Sequence, residues 1–254
     1  MSVSDSQRNN PLDEGDKQMK KVIHSAETRG YFDHGWLKTY HTFSFASYFQ
    51  PDRVNFGKLR VLNDDVVAPK EGFGTHPHDN MEIVSIPLLG ALAHKDSEGH
   101  EDVIETNDVQ VMSAGTGIWH SEYNHSDKKH VNFLQIWVLP DCRGHEPQYN
   151  QKSFDPNERK NQFQTVVAPK EYNGSLWLNQ DAYFSLADID TGNSLEYSMH
   201  TKENGVYLFV IEGEIFVGDE TLSRRDGIGI WEVLSVDVKA LSNSKILLIE
   251  VPMN

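Results

Sequence analysis

Two short runs of metal-ligand residue types are present in this chain, His76-Pro77-His78 and His120-Ser121-Glu122. Each run places two ligand types at positions i and i+2. Side chains alternate between the two faces of a β-strand, so both ligands of a run point to one face if the run is extended. If the two strands face each other inside a small barrel, three imidazoles and one carboxylate converge on one point. The pattern therefore predicts a metal site.

The ligand types narrow the choice of metal. Neutral imidazole suits iron, nickel, copper and zinc. A set of three nitrogens and one oxygen on an octahedral ion leaves two adjacent positions for substrate and dioxygen. That arrangement is found in redox iron sites rather than in closed structural zinc sites. Fe(II) is the metal expected, with manganese, nickel, copper and zinc as alternatives.

The segments that must position these ligands have the pattern of β-strands. Short runs rich in valine, isoleucine, phenylalanine and tyrosine recur between turn signals. The predicted strands cover residues 58–62, 82–88, 109–112, 133–139, 206–211 and 246–251. No long stretch has strong helical periodicity, although residues 157–164 could form a short helix. The fold class expected is all-β, a sandwich or a barrel.

A weak internal repeat indicates two copies of one unit. Residues 87–115 and 211–230 each read as strand, glycine turn, strand and a further turn that contains aspartate. Of the twelve histidines, His200 alone lies beyond His145. The second copy therefore cannot build a comparable histidine-rich site, and the first copy is expected to hold the chemistry.

The repeat also predicts the domain organisation. Prolines and a glycine between residues 140 and 147 mark the natural linker. The start of the chain is polar and charged and lacks the apolar centre of a signal peptide. The expected division is a disordered leader (1–20), an N-terminal metal-binding domain (21–143) and a C-terminal domain without metal ligands (144–254).

Composition excludes several functions. The formal net charge of -15, from 23 Lys and Arg against 38 Asp and Glu, would repel a phosphate backbone, so direct nucleic-acid binding is not expected. No stretch approaches the roughly 18 apolar residues of a membrane span.

The single cysteine, Cys142, cannot form an internal disulfide and favours a reducing compartment. A cytoplasmic protein is expected, and a monomer, because the chain already contains two repeats.

The longer motifs around both ligand runs resemble the paired signatures of the pirin family of bicupins. The motifs that carry the resemblance are Gly74-Thr75-His76-Pro77-His78, Met81-Glu82-Ile83-Val84 and residues 112–124, with flanking agreement at 41–45, 56–65 and 134–138. The resemblance is specific over about residues 30–151 and only topological beyond them. It implies two tandem cupin barrels, which are double-stranded β-helix jelly rolls, with a metal, usually iron, in the N-terminal one.

The resemblance also implies a ligand set. By position in the motifs, the ligands would be His76, His78, His120 and Glu122. Generic cupins instead take their carboxylate a few residues after the first histidine pair, where this chain has Glu82. In the pirin pattern the glutamate after the third histidine coordinates, so Glu122 is preferred and Glu82 is expected to orient an imidazole.

Other residues receive plainer interpretations. Four further histidines lie near turn signals and are expected to be solvated: His94, His100, His125 and His130. The Cys142 thiol is expected to be buried and inert, because no activating partner is visible. Phe43 and Trp119 are expected in the core, with a substrate pocket as the alternative. Asp79 departs from the family pattern and would change the charge at the mouth of the site.

The function that the resemblance implies is an iron-dependent dioxygenase of the quercetin 2,3-dioxygenase type. The metal would act as a Lewis acid on the 3-oxygen of a flavonol or related enolic compound, and Glu122 would accept the 3-hydroxyl proton as general base. Dioxygen is the second substrate. The alternative is an iron- and redox-responsive protein that binds a transcription factor or an enzyme, since the acidic surface would suit a basic partner.

Overall fold

The structure is a computed structural model that describes residues 19–254. These residues form 22 β-strands and two short 3₁₀ turns, Ala26–Thr28 and Pro156–Arg159. The predicted all-β fold class is therefore confirmed. The short helix considered for residues 157–164 is reduced to the second 3₁₀ turn. Residues 1–18 of the expected leader lie outside the described residues, and Lys20 begins the first strand.

The strands follow the alternating and apolar patterns of the sequence along the whole described chain. The first twelve are β1 Lys20–His24, β2 Gly30–Asp33, β3 Leu37–His41, β4 Leu59–Val67, β5 Gly72–His78, β6 Glu82–Leu89, β7 Ala91–Asp96, β8 Glu101–Glu105, β9 Asp108–Ser113, β10 Ile118–Asn124, β11 Val131–Val138 and β12 Gln148–Ser153. The remaining ten are β13 Gln164–Pro169, β14 Leu176–Leu178, β15 Tyr183–Ile189, β16 Ser194–Ser198, β17 Asn204–Glu212, β18 Glu214–Val217, β19 Glu220–Ser223, β20 Gly227–Trp231, β21 Ser235–Ala240 and β22 Ser244–Pro252.

Each half of the chain builds a barrel from one long and one short sheet. In the first barrel the seven-stranded sheet has the order β12-β9-β6-β11-β4-β3-β2, and the four-stranded sheet has the order β5-β10-β7-β8. In the second barrel the corresponding orders are β1-β20-β17-β22-β15-β13-β14 and β16-β21-β18-β19. The matching orders agree with the internal repeat in the sequence.

Two strands cross the domain division expected between residues 143 and 144. Strand β1 precedes the first barrel in the chain, yet it pairs with β20 and extends the long sheet of the second barrel. Strand β12 follows the linker, yet it pairs with β9 of the first barrel. Each exchanged strand covers a sheet edge that would otherwise be open, and so ties the two halves together.

The two long sheets pack face to face through a shared apolar layer. Buried side chains such as Leu134 and Ile136 from the first barrel meet Phe209 and Leu247 from the second. Burial of this surface stabilises the arrangement by roughly 25 cal/mol per Å² of apolar area.

Within the described residues no helix is long and apolar enough to cross a membrane.

Candidate metal centre

The two ligand runs lie on neighbouring strands of the short sheet in the first barrel. Strands β5 and β10 pair antiparallel, with His76 directly opposite His120 and His78 opposite Ile118. The register then shifts, so that Glu122 lies opposite Phe73. An irregularity of this kind re-aims side chains and is common beside functional sites. The pairing brings both runs together, as their spacing predicts.

The three imidazoles form a tight triangle. Their ring centroids are 4.4 Å apart for His76 and His120, and 4.9 Å apart for each pair that includes His78. One ring nitrogen from each histidine lies within 4.8 Å of those of the other two. The Nδ1 of His76 lies 2.8 Å from the carbonyl oxygen of Gly74. An Nδ1–H that donates to this carbonyl leaves Nε2 with a free lone pair for a metal.

The chemistry of these nitrogens fits a metal ion. Both ring nitrogens of His120 are buried, and neither has a hydrogen-bond partner among the described residues. An unpaired buried polar group is costly, and a bound cation would provide the missing partner. Burial, followed by the charges of His76 and His78, lowers the pKa of His120 far below its usual range. Burial and then His76 lower the pKa of His78 to about 4. Both histidines are therefore neutral, which is the form that binds metals.

The carboxylate of Glu122 lies deeper in the barrel than the histidine triangle. Its Oε2 accepts a hydrogen bond of 2.7 Å from the Gln135 amide, and its Oε1 accepts one of 3.3 Å from the Ser85 hydroxyl. Burial is the largest influence and raises the pKa of Glu122 to about 7, with a further upward contribution from Asp65 and opposition from the two hydrogen bonds. A carboxylate oxygen of Glu122 and one ring nitrogen each of His94 and His120 lie within 4.8 Å of one another. His120 therefore belongs both to this trio and to the triangle with His76 and His78.

His94 is a member of the site that sequence reasoning missed. The expectation that it is solvated is wrong, because its exposed fraction is 1%. Its Nε2 lies 3.3 Å from Asp96 Oδ2, and its Nδ1 lies 3.4 Å from the Gln110 side-chain nitrogen. The sequence signal that could have revealed it is its spacing, because His94 shares one face of β7 with the apolar Leu92. In the structure Leu92, His94 and Asp96 are all buried on that face. His125 and His130 are exposed, as expected, and His100 is half-buried against Asp96.

Glu82 does not orient an imidazole. Its Oε1 accepts a hydrogen bond of 3.1 Å from the Asn179 side chain, and its Oε2 accepts one from the Ser113 hydroxyl and one from the Asn179 backbone. The expectation was wrong because Glu82 begins β6 on the long sheet, where it faces the other barrel. Glu82 therefore joins the two barrels.

An open cavity of about 510 Å³ leads to His78. Its apolar walls include Met81, Trp119 and Trp137, and the edge of the Trp137 ring packs against His78 at a centroid distance of 4.8 Å. Trp119 is 53% exposed and so is a pocket residue rather than a core residue. Phe43 is fully buried in the layer between the barrels.

The rim of this cavity touches the linker. Asp79, which follows the second histidine, lies 3.6 Å from the guanidinium of Arg143, and both are exposed. Cys142 is also exposed, so the expectation of a buried thiol is wrong. Its Sγ lies 3.2 Å from His145 Nε2. His145 is three residues further along the chain, and the turn of the linker brings it next to Cys142.

Two barrels of matching strand order, with imidazoles that converge in the first of them, define a bicupin with a histidine-rich centre in its N-terminal barrel. The model of the family described as Pirin matches residues 22–138, and the model described as the quercetinase C-terminal cupin domain matches residues 165–251. The chain belongs to the pirin family, and the two tandem cupin barrels are confirmed.

Known relatives span nearly the whole chain. A quercetin 2,3-dioxygenase from Escherichia coli (strain K12) is 39% identical over 236 residues, which are 91% of this chain and 98% of the relative. A pirin-like protein from Caulobacter vibrioides is 37% identical over 86% of this chain and 94% of the relative. The crystal structure of the bacterial pirin YhhW from Escherichia coli in complex with nickel(II) has a TM-score of 0.87 and 36% identity, over 92% of this chain and all of that one. The predicted resemblance to quercetin 2,3-dioxygenase-like oxidoreductases is therefore confirmed.

Proposed function

We propose that this protein is a metal-dependent dioxygenase of the quercetin 2,3-dioxygenase type, which cleaves a flavonol or a related enolic compound with dioxygen. The observation that carries the proposal is the triangle of three imidazoles, with His78 in the wall of an open cavity and the buried Glu122 carboxylate beside His120. The name of the Escherichia coli relative supports the same reaction class.

His76, His78 and His120 are the proposed nitrogen ligands, with Glu122 as the fourth ligand. When bound, the metal supplies Lewis-acid polarisation of the substrate oxygen and a common position for substrate and dioxygen. Iron is the proposed metal, because its redox states suit dioxygen chemistry. The structure of YhhW in complex with nickel(II) supports the proposal that this chain also binds a transition metal.

Glu122 is the proposed general base. Its carboxylate lies beside His120 and accepts the proton of the substrate's 3-hydroxyl group, and Ser85 and Gln135 orient it for that transfer. A positioned base contributes about 10²–10⁴-fold to the rate. The indole rings of Trp119 and Trp137 present flat apolar surface that suits an aromatic substrate and excludes water from it.

Oxygen uptake by Fe(II)-loaded protein in the presence of quercetin tests this function, with carbon monoxide measured as the co-product. Uptake should require quercetin and should be lost in His120→Ala together with the metal, whereas the exposed His125→Ala should match the wild type. No uptake by protein shown to hold iron would remove quercetin as substrate and would favour the redox-responsive binding role. Glu122→Gln should bind the metal more weakly and, at a metal concentration that keeps its centre filled, lose at least about 100-fold in turnover. Full turnover in that variant would contradict the role as base.

A further inference from the structure

The linker between the barrels carries a second group of ligand types, apart from the metal centre. Asp141 Oδ1 lies 2.6 Å from His145 Nε2, and the same nitrogen lies 3.2 Å from Cys142 Sγ. These three ligand atoms lie within 4.8 Å of one another. All three side chains reach solvent, so an ion could enter without any opening of the fold.

The three ligand atoms converge on one point. His145 Nε2 faces both the Asp141 carboxylate and the Cys142 sulfur. The Cys142 backbone N–H donates a hydrogen bond of 2.6 Å to Asp141 Oδ1 and so holds the carboxylate beside the thiol. A cation at that point would contact all three.

The backbone around the group is already held in place. Three hydrogen bonds fix it. The Asp141 N–H donates to the carbonyl of Asn179 at 2.8 Å, and the Gly144 N–H donates to Asn80 Oδ1 at 2.8 Å. The carbonyl of His145 accepts a hydrogen bond of 2.9 Å from the Thr116 N–H. A turn at Gly144, with φ +85°, returns the chain so that His145 faces Asp141 and Cys142. Binding would thus order little additional chain, which lowers its entropic cost.

We propose that Asp141, Cys142 and His145 form a binding site for a zinc-class divalent cation, distinct from the metal centre in the barrel. One thiolate, one imidazole and one carboxylate are all established zinc ligands, and three protein ligands leave the fourth position to water. On binding, the Cys142 thiol releases its proton to solvent and the sulfur donates an electron pair to the cation.

The resting thiol is not built as a nucleophile. Partial desolvation, and then the hydrogen bond and charge of the adjacent Asp141 carboxylate, raise the pKa of the Cys142 thiol and so favour its protonated form. A cation favours the thiolate instead, which makes metal binding the better use of this arrangement. Arg143 in the same loop pairs with Asp79 at the rim of the cavity, so an ion here would hold the linker at the mouth of the barrel.

Cadmium provides a direct test, because Cys142 is the one cysteine in the whole chain. Metal-free full-length protein is titrated with Cd²⁺, and the ultraviolet cadmium–thiolate charge-transfer absorption is followed. The barrel centre contributes no thiolate, so this absorption reports on the linker alone. The expected result is that the absorption appears in both wild type and His120→Ala, and that it saturates at one cadmium per chain in His120→Ala, where the barrel centre no longer competes for the ion.

Variants separate a built site from binding by a lone thiol. Asp141→Asn and His145→Gln should each raise the cadmium concentration at the titration midpoint by at least about 10-fold. Loss of a partner that only orients a ligand already lowers metal affinity by this much. The exposed His130→Gln is the matched control and should leave the midpoint unchanged. Zn²⁺ should also protect the Cys142 thiol from alkylation in the wild type, and less so in His145→Gln. Absence of the absorption, or equal midpoints and equal protection in all these variants, would overturn the site.

Discussion

The two barrels share one strand order but fill their interiors with different chemistry. Most of the interior of the second barrel is one apolar cluster, to which the short sheet contributes Tyr197, Val236 and Val238 on β16 and β21. Its buried carboxylate, Glu250, accepts a hydrogen bond of 2.9 Å from the Tyr197 hydroxyl. Strands β16 and β21 hold the same places in the sheet order as β5 and β10, which carry the histidines of the first barrel. The same frame therefore accepts either an apolar filling or a ligand set.

The interior of the first barrel is divided. Its apolar side chains form two small clusters, one around Phe133 and one around Met112. A set of buried polar side chains also occupies this barrel, namely Asp65, Ser85, His94, Gln110, His120, Glu122 and Gln135. Buried polar groups cost free energy unless they are paired. The second barrel therefore contributes mainly stability, while the first barrel contributes the polar interior of the proposed metal centre.

Removal of a proposed ligand should have the largest effect on the difference between the barrels. His120→Ala should lower metal affinity of the barrel centre by more than about 100-fold, because even orienting partners are worth 10–100-fold. The matched change in the second barrel, His200→Ala, should leave metal binding unchanged. Metal content after dialysis and titration calorimetry measure both. Loss of the barrel metal in His200→Ala would show that the second barrel also holds ligands.

A cavity in the second barrel tests its role in stability. Leu208→Ala removes a fully buried side chain from the apolar cluster and should lower the free energy of unfolding by about 2–5 kcal/mol. Leu234→Ala, at a position that is 75% exposed, should change it by less than about 0.5 kcal/mol. Denaturant unfolding measures the loss, and metal stoichiometry should stay the same in both variants. A loss of bound metal in Leu208→Ala alone would mean that the two roles are not separated.

The polar interior of the first barrel should appear in the pH dependence of stability. Burial is the main cause that raises the pKa of Asp65 to about 7, from an ordinary value of 3.8. Between pH 4 and 7 the unfolded chain ionises this group while the folded protein keeps it protonated, so wild-type stability falls as pH rises. Asp65→Asn should remove this loss and stabilise metal-free protein by at most about 4 kcal/mol at pH 8.

Unfolding of metal-free protein at pH 4 and pH 8 checks this expectation. The benefit of Asp65→Asn should be small at pH 4 and largest at pH 8. The exposed Asp237→Asn in the second barrel is the control and should have a small effect at both values. An equal benefit at both pH values would show that Asp65 does not titrate in this range.

The smallest expected effect concerns the partner of Glu122. Gln135→Met removes the 2.7 Å hydrogen bond to the carboxylate while it keeps the side chain's length. Metal affinity should fall by about 10–100-fold, or about 1.4–2.7 kcal/mol, because the carboxylate is no longer held. Leu248→Met on β22 of the second barrel is the control. Unchanged affinity in Gln135→Met would argue against Glu122 as a ligand.

Local spacing accounts for the part of the site that could be predicted. His76 and His78, and likewise His120 and Glu122, are two residues apart, and strand geometry sends each pair to one side. The strand segments were also predictable, because apolar and β-branched runs between turns identify them. The placement of β1 in the second barrel was not predictable, since it depends on which sheet edge is open.

Local patterns and short spacings in the sequence are enough to specify the all-β class, the repeat of two barrels and the two ligand runs. The burial of His94 beside His120, the position of Glu82 between the barrels and the contact of Cys142 with His145 arise only in the folded protein. Each of these depends on which surfaces close on one another. Such contacts join residues that are distant in the chain or lie across a turn, and no local period encodes them.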